Sequence, residues 1–101
     1  MSVRGIRIPN PYKFKSGVVA RFEVVRETAK AVLIRLVLHS PQLGDYAKAE
    51  NWFPKKVVEI GDSYIIFPNK MLFYKNLDFA RAVCQIKDEI ASQGVDNRCS
   101  P

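Results

Sequence analysis

The sequence predicts an α+β domain: a small twisted antiparallel sheet of four to five strands, SH3-like or a partly closed barrel, with a C-terminal helix. Apolar runs separated by short polar turns fill the first two thirds of the chain, as in antiparallel sheets. Apolar residues in the last quarter recur at helical spacing. A chain of 101 residues has room for one modest core. We therefore expect a single α+β domain over residues 17–101.

The first sixteen residues are basic and include no acidic residue. Two prolines interrupt regular structure there, so we predict a basic extended arm over residues 1–16. Arms of this kind follow phosphate backbones in some proteins and fray in others. The cations of the arm are Arg4, Arg7, Lys13 and Lys15.

Two strands joined by a charged turn are predicted next. Residues 17–26 (GVVARFEVVR) alternate in polarity, which indicates a strand with one buried face. Residues 31–39 (AVLIRLVLH) are almost continuously apolar, as in a strand buried on both faces. The intervening ETAK is a short polar connection. The two strands are therefore expected to form an antiparallel hairpin.

The middle of the chain is predicted to be irregular. Residues 40–50 (SPQLGDYAKAE) hold a proline, a glycine and charges without a clear period, which indicates a long exposed loop. A strand begins at Trp52, but Pro54 cannot donate a ladder hydrogen bond. We therefore place this strand at a sheet edge, or broken at Pro54, with a helical turn over residues 54–56.

A final strand and a helix complete the predicted domain. Gly61 and Asp62 supply a turn, and residues 64–67 form a strand that ends at Pro68. Apolar residues then recur at steps of four, three and four, which places them on one helix face. Asn76 or Asp78 can cap this helix and Gly94 can end it. The apolar face consists of Phe79, Val83, Ile86 and Ile90.

The stretches ETAKAVLIRL, WFPKKVVEI and IIFPNKMLFYKNL resemble a group of short, mostly uncharacterised bacterial, phage or plasmid proteins. In that group a Glu-Thr-x-Lys-Ala hairpin precedes a strand, a Trp-x-Pro-Lys-Ser stretch and an isoleucine-proline step into a short helix. Here Lys56 replaces the usual serine, and residues 39–51 make a longer connection. The resemblance implies a small barrel-like sheet with helices and no agreed activity. The matching positions are Glu27, Thr28, Lys30, Ala31, Trp52, Pro54, Lys55 and Pro68.

The side chains available for catalysis predict that the protein is not an enzyme. His39 is the only histidine, and two distant cysteines, Cys84 and Cys99, complete no zinc site with it. A cysteine in an apolar helical stripe is more often inert core than a nucleophile. The carboxylates form no obvious pair, and no glycine-rich phosphate loop is present. We therefore expect no catalytic residue, no metal and no cofactor.

Compartment and assembly follow from the same composition. Two cysteines without disulfide spacing fit a reducing cytoplasm. The sequence has no run of about 18 apolar residues and no apolar signal segment, which predicts no membrane contact. A domain of this size is expected to be a monomer or a homodimer.

Binding is the predicted function, with nucleic acid, single-stranded above all, as the first candidate partner. The formal charge of +6 attracts phosphates, and bases stack on exposed rings while cations follow the backbone. Trp52 is expected to plug the core, with a stacking role as the alternative. The predicted contact residues are Tyr12, Lys13, Phe14, Lys15, Arg21, Lys55 and Lys56.

The alternative function is a protein-interaction module of a phage or plasmid that inhibits or modulates a host enzyme. Leu43 and Tyr46, at the centre of the predicted loop, are its expected contact residues, because exposed aromatic and apolar side chains on loops anchor partners. An exposed edge strand would offer a partner strand a second route.

Overall fold

The computed structural model describes the backbone of residues 4–99 and the side chains of residues 4–92. The predicted α+β class is confirmed: the strands are antiparallel and a helix ends the domain. Within the described residues the strands form two sheets and no closed barrel. The elements are β1 (Ile6–Pro9), β2 (Tyr12–Lys13), β3 (Val19–Glu27), β4 (Ala31–Ser40), β5 (Gly44–Pro54), β6 (Glu59–Ile60), β7 (Tyr64–Phe67) and α1 (Leu77–Cys99).

The larger sheet has the order β2-β3-β4-β5, and the smaller one has the order β1-β7-β6. The predicted hairpin of β3 and β4 is confirmed. Its turn is closed by Thr28, whose N–H donates to the Ala31 carbonyl at 2.8 Å and whose Oγ1 accepts from the Ala31 N–H at 3.0 Å. The helical turn expected after the tryptophan is a single 3-10 turn over Lys55–Val57.

One face of the larger sheet, here called the inner face, packs against α1 and the smaller sheet. Four phenylalanines hold these layers together, and the ring centroids of their contacting pairs lie between 4.9 and 6.1 Å apart. Rings at this separation add to the burial of their apolar area. Both sheets and the helix therefore share one core, centred on Phe22, Phe53, Phe67 and Phe79.

Helix α1 presents the predicted apolar face to this core. Phe79, Val83 and Ile86 are fully buried. Asn76 is the cap, because its Oδ1 accepts from the N–H groups of Asp78 and Phe79 at 2.9 and 3.2 Å. The predicted stop at Gly94 is wrong: the helix continues to Cys99, since one glycine costs a helix only about 1 kcal/mol. No described helix is long and apolar enough to cross a membrane.

The basic N-terminal segment is not a separate arm. Residues 6–9 pair with β7 and residues 12–13 pair with β3, so most of the segment belongs to the two sheets. Between them, the Asn10 side chain donates to the Phe22 carbonyl and accepts from the Phe22 N–H, both at 3.0 Å. Residues 1–3 of the predicted arm lie outside the described residues. The alternating Ile6 and Ile8, both buried, explain why the segment folds back onto the domain.

The predicted loop over residues 40–50 is also wrong. Only a tight turn separates β4 from β5, and β5 begins at Gly44, whose φ of 70° favours glycine. The buried Ser40 stabilises this turn, because its Oγ accepts from the N–H groups of Gln42 and Leu43. Strand β5 is an edge strand that ends at Pro54, as predicted for a proline in a strand.

Candidate nucleic-acid interface

The face of the larger sheet that points away from α1, here called the outer face, is left uncovered by the described elements. Its residues are set by the two-residue period of a strand, because their neighbours in sequence fill the core. The outer face consists of Lys13 from β2, Val19, Arg21, Glu23 and Arg26 from β3, Leu33, Arg35, Val37 and His39 from β4, and Asp45, Lys48, Glu50 and Trp52 from β5.

An ion pair holds the centre of the outer face. Arg35 and Glu50 are directly opposite each other on β4 and β5. The Nε and the terminal NH2 of Arg35 both lie 2.7 Å from Glu50 Oε2. Both side chains are more than a third exposed, so solvent limits the pair to about 1 kcal/mol. The pair fixes the direction of both side chains on the sheet.

A second charged cluster lies near the β4–β5 turn. Asp45 Oδ1 lies 2.8 Å from His39 Nδ1, and Asp45 Oδ2 lies 3.4 Å from the guanidinium of Arg21. The hydrogen bond to His39, followed by the one to Arg21, holds the pKa of the Asp45 carboxyl below its usual value. Asp45 therefore stays ionised near neutral pH and keeps Arg21 in an ion pair.

The remaining cations of the outer face are available to a ligand. Lys13, Arg26 and Lys48 make no ion pair with any described residue. Cations outnumber carboxylates on this face, because Glu23, Asp45 and Glu50 are its only acidic residues. The outer face therefore carries a net positive charge.

Aromatic rings lie at both ends of β5. Trp52 is opposite Leu33 in the register and is 41% exposed. Tyr46, the extra residue of a bulge in β5, is 47% exposed. Six residues of strand separate the two rings by about 20 Å. An open groove of about 590 Å³ also borders Trp52 and reaches the exposed Leu77 at the start of α1.

The structure separates the cations that the sequence predicted to act together. Lys13 and Arg21 do share the outer face, near the β4–β5 turn. Lys55 and Lys56 lie at the opposite end of the sheet, after Pro54, and Lys55 Nζ is paired with Glu27 at 2.7 Å. Lys15 is exposed, but its N–H points at Glu89 of α1, on the inner side of the sheet.

Two predicted stacking residues are not available to a ligand. Tyr12 is buried, and its hydroxyl donates to Glu89 Oε1 at 2.6 Å. Phe14 is half-buried, with its ring edge-on to Tyr12 at 5.2 Å. Residues 12–15 (YKFK) are all predicted contact residues, but the two aromatic side chains pack against the core and only the two lysines are exposed.

Trp52 is predicted to lie in the core, but it is exposed. It lies on the outer face, and the next residue, Phe53, takes the fully buried position. Sequence reasoning also missed Arg26, Arg35 and Lys48 as residues of a common face. The signal was present in β5, where polar or large residues alternate with Ala47, Ala49, Asn51 and Phe53. It was overlooked because alanine and asparagine do not mark a buried face.

Leu43 is the most exposed residue of the predicted protein-contact pair. It lies in the β4–β5 turn with 72% of its surface accessible, and Tyr46 follows at the start of β5. Their exposure agrees with the sequence prediction, although they lie on a tight hairpin and not on a long loop. Their proposed contact role stays a prediction.

The Tyr12 hydroxyl predicts a specific loss of stability in alkali. Burial first, and then the hydrogen bond to Glu89 and its negative charge, raise the pKa of Tyr12 to about 12. Because the pKa is raised, the stability that the protonated Tyr12 hydroxyl contributes is complete below pH 10 and is lost as the pH rises towards about 12. We expect Tyr12→Phe to lose less stability than wild type between these pH values. The measurement is the urea midpoint against pH, with the exposed Tyr46→Phe as control. Parallel curves for Tyr12→Phe and wild type would contradict this role of the bond.

No protein family model matches the chain, and no curated protein and no solved structure matches it either. The resemblance to short bacterial, phage or plasmid proteins therefore stays a prediction. The case for a function rests on the geometry of the outer face.

Proposed function

We propose that this protein binds single-stranded nucleic acid on the outer face of its four-stranded sheet. The observation that carries the proposal is the Trp52 ring, exposed on an uncovered sheet face that also carries cations without ion-pair partners. Stacking of a base on such a ring contributes about 1 to 3 kcal/mol, and it needs no particular base. In this proposal Trp52 stacks on a base, which is the role that the sequence predicted for Tyr12 and Phe14.

A single strand suits this face better than a duplex. The bases of a single strand are free to turn towards Trp52, whereas those of a duplex are stacked on each other. The groove beside Trp52 gives a splayed base a place to lie. Lys48 is four residues away along β5, about 13 Å, so it can reach a phosphate one or two nucleotides further on.

The charges on the face predict modest affinity. Arg21 and Arg35 are engaged by Asp45 and Glu50, which leaves Lys13, Arg26 and Lys48 for phosphates. Each phosphate neutralised on a single strand contributes about −0.7 to the slope of log affinity against log salt. We therefore expect a slope of about −2, shallow for a nucleic-acid-binding protein.

The experiment uses Trp52 as its own reporter, since the chain contains one tryptophan. Titration with a twelve-residue oligothymidylate should quench tryptophan fluorescence, and the affinity should fall as salt is raised from about 50 to 200 mM. A duplex of the same length should bind more weakly. Absence of quenching, or binding that salt leaves unchanged, would remove the proposal.

Reversing the charge of Lys48 tests whether this lysine contacts the nucleic acid. Lys48→Glu is expected to lower affinity about tenfold and to make the salt slope shallower by about 1. Lys87→Glu makes the same charge change on the solvent side of α1 and should leave the slope unaltered. Both variants are read by the oligothymidylate titration. Equal losses in the two variants would indicate attraction by net charge alone, without a site on the outer face.

A protein partner is the second candidate, favoured by the exposure of Leu43 at the tip of the β4–β5 hairpin. An apolar side chain in this position can anchor a complex that does not depend on nucleic acid. Leu43→Ser should abolish a complex that survives nuclease treatment, while oligothymidylate binding stays as in wild type. A complex that disappears with nuclease would favour the first candidate.

A further inference from the structure

The free side of β5 can be identified from the hydrogen bonds around it. The N–H and C=O of Ala31 face β3, because both bond to Thr28 in the β3–β4 turn. Backbone groups alternate in direction along a strand, so the even-numbered residues of β4 face β5. Their partners are the odd-numbered residues Ala47 to Phe53. The backbone groups of Lys48, Glu50 and Trp52 therefore point away from the sheet, towards its open edge.

Only part of that edge is covered. The Glu50 carbonyl accepts from Asn76 Nδ2 at 3.3 Å, and the Trp52 carbonyl accepts from Asn51 Nδ2 at 2.9 Å. Among the described residues, no bond of this kind reaches the N–H or C=O of Lys48. The edge is thus closed at its Trp52 end and open around Lys48, where a strand of another molecule can pair.

A cavity lies directly under the open part of the edge. Its volume is about 200 Å³, and it is lined mainly by apolar groups of β4, β5 and α1. Three alanines that face each other across the layers leave this space unfilled. A cavity of about 150 Å³ holds a benzene molecule, so this one can hold a leucine side chain. Its lining includes Leu36, Leu38, Ala47, Ala49, Ala82 and Arg81.

We infer that the β5 edge binds an extended peptide as a fifth strand, with an apolar side chain of the peptide in this cavity. A peptide residue opposite Ala47 points to the inner side of the sheet, where the cavity opens. Arg81 and Lys48 both line the cavity, and Asp78, the one carboxylate in its lining, is 3.8 Å from Arg81. This weak pair leaves the guanidinium able to bind a carboxylate of the peptide. The partner is therefore an extended segment with an apolar residue and an acidic residue two positions from it.

A second copy of this chain does not fit the edge. Antiparallel pairing of two β5 strands about Ala49 would align Lys48 with Glu50, and Tyr46 with Trp52, of the other copy. That pairing needs the edge at Glu50 and Trp52, whose carbonyls are already bonded to side chains. A peptide needs only the open part around Lys48. The occupant is for this reason a peptide segment and not a second β5.

The probe is the blocked heptapeptide Ac-Thr-Glu-Thr-Leu-Thr-Glu-Thr-NH2, titrated against the full chain by isothermal calorimetry. In antiparallel pairing one of the two threonines beside the leucine lies opposite Lys48 and exchanges both backbone hydrogen bonds with it, whereas the leucine N–H points to solvent. N-methylation of those two threonines should weaken binding at least tenfold, and N-methylation of the leucine should change it less than twofold. Replacing the leucine with serine should also cost tenfold or more, because burial of one such side chain is worth that factor.

Variants of the protein test the same contacts from the other side. Ala82→Leu fills the cavity and should weaken binding of the leucine peptide at least tenfold, and Ala47→Leu fills it from β5 if the first variant melts at a lower temperature. Arg81→Glu should weaken binding severalfold, while Lys87→Glu, elsewhere on α1, should not.

Three results would overturn the inference. The first is no heat of binding for the leucine peptide at millimolar concentration. The second is equal loss on N-methylation of leucine and threonine. The third is a chain that sediments as a dimer and dissociates on Lys48→Pro, which would assign the edge to a second copy.

Discussion

Replacing Asn51 with alanine should lower the free energy of unfolding by about 3 kcal/mol or more. Asn51 lies on the inner side of β5 and is only 3% exposed. Its Nδ2 donates to the carbonyls of Trp52 and Phe73 at 2.9 and 3.1 Å. Its Oδ1 accepts from the N–H groups of Lys75 and Asn76 at 2.7 and 2.9 Å. One side chain therefore satisfies four backbone groups that form no regular ladder.

The cost of losing Asn51 exceeds the value of the bonds themselves. A hydrogen bond contributes about 1 kcal/mol net, but each buried group left without a partner costs about 1 to 3 kcal/mol. Asn51→Ala removes the acceptor of the Lys75 and Asn76 N–H groups and the donor to the two carbonyls, and all four of these bonds are partly buried. Since small domains are stable by about 5 to 15 kcal/mol, the loss is a large fraction of the total.

Urea denaturation followed by circular dichroism measures this loss. The control is Asn69→Ala, the same substitution at an exposed position, which should change the midpoint little. Asn51→Asp keeps the acceptor and removes the amide donors, so it should fall between the two. Equal midpoints for Asn51→Ala and Asn69→Ala would show that the connection before α1 is held by other contacts.

The elements that sequence reasoning identified are those in which side-chain type and burial agree. Strand β4 is almost continuously apolar, and the apolar residues of the α1 core face recur at helical spacing, so both could be predicted with their main residues. In β5 the inner positions include Ala47, Ala49 and Asn51, whose small or polar side chains form no apolar pattern that indicates a strand. Sheet pairing imposed a strand on a segment whose composition is typical of a loop.

The candidate site depended on contacts that are distant in sequence. Tyr12 bonds to Glu89, and no local pattern in YKFK indicates that its ring will pack on a helix 77 residues away. Asn51 illustrates the same limit, because its partners belong to the connection before α1. Glu27 likewise pairs with Lys55, one of the predicted cations, from a position 28 residues earlier in the chain. Local sequence therefore does not show whether a residue is free to bind, because that depends on contacts with residues far along the chain.

Trp52 and Phe53 should respond to alanine in opposite ways. Phe53 is fully buried between Phe67, Tyr74 and Phe79, and its truncation should cost about 3 to 5 kcal/mol of stability. Trp52 is half exposed and loses only its cross-strand contact with Leu33, worth about 1 kcal/mol at most. Equal losses of stability in Trp52→Ala and Phe53→Ala would mean that Trp52 is a structural residue.

For binding the order is reversed, and Trp52 is expected to matter more than Phe53. Trp52→Ala should weaken oligothymidylate binding about tenfold or more, because the stacking of one base is lost. Trp52→Phe keeps an aromatic ring at this position and should retain most of the affinity. Fluorescence anisotropy of a labelled oligonucleotide measures both variants, since neither contains a tryptophan. Unchanged affinity in Trp52→Ala at an unchanged melting temperature would remove the ring from the binding face and leave only the cations. Adjacent residues on opposite faces of β5 thus separate the contribution of this strand to folding from its proposed contribution to binding.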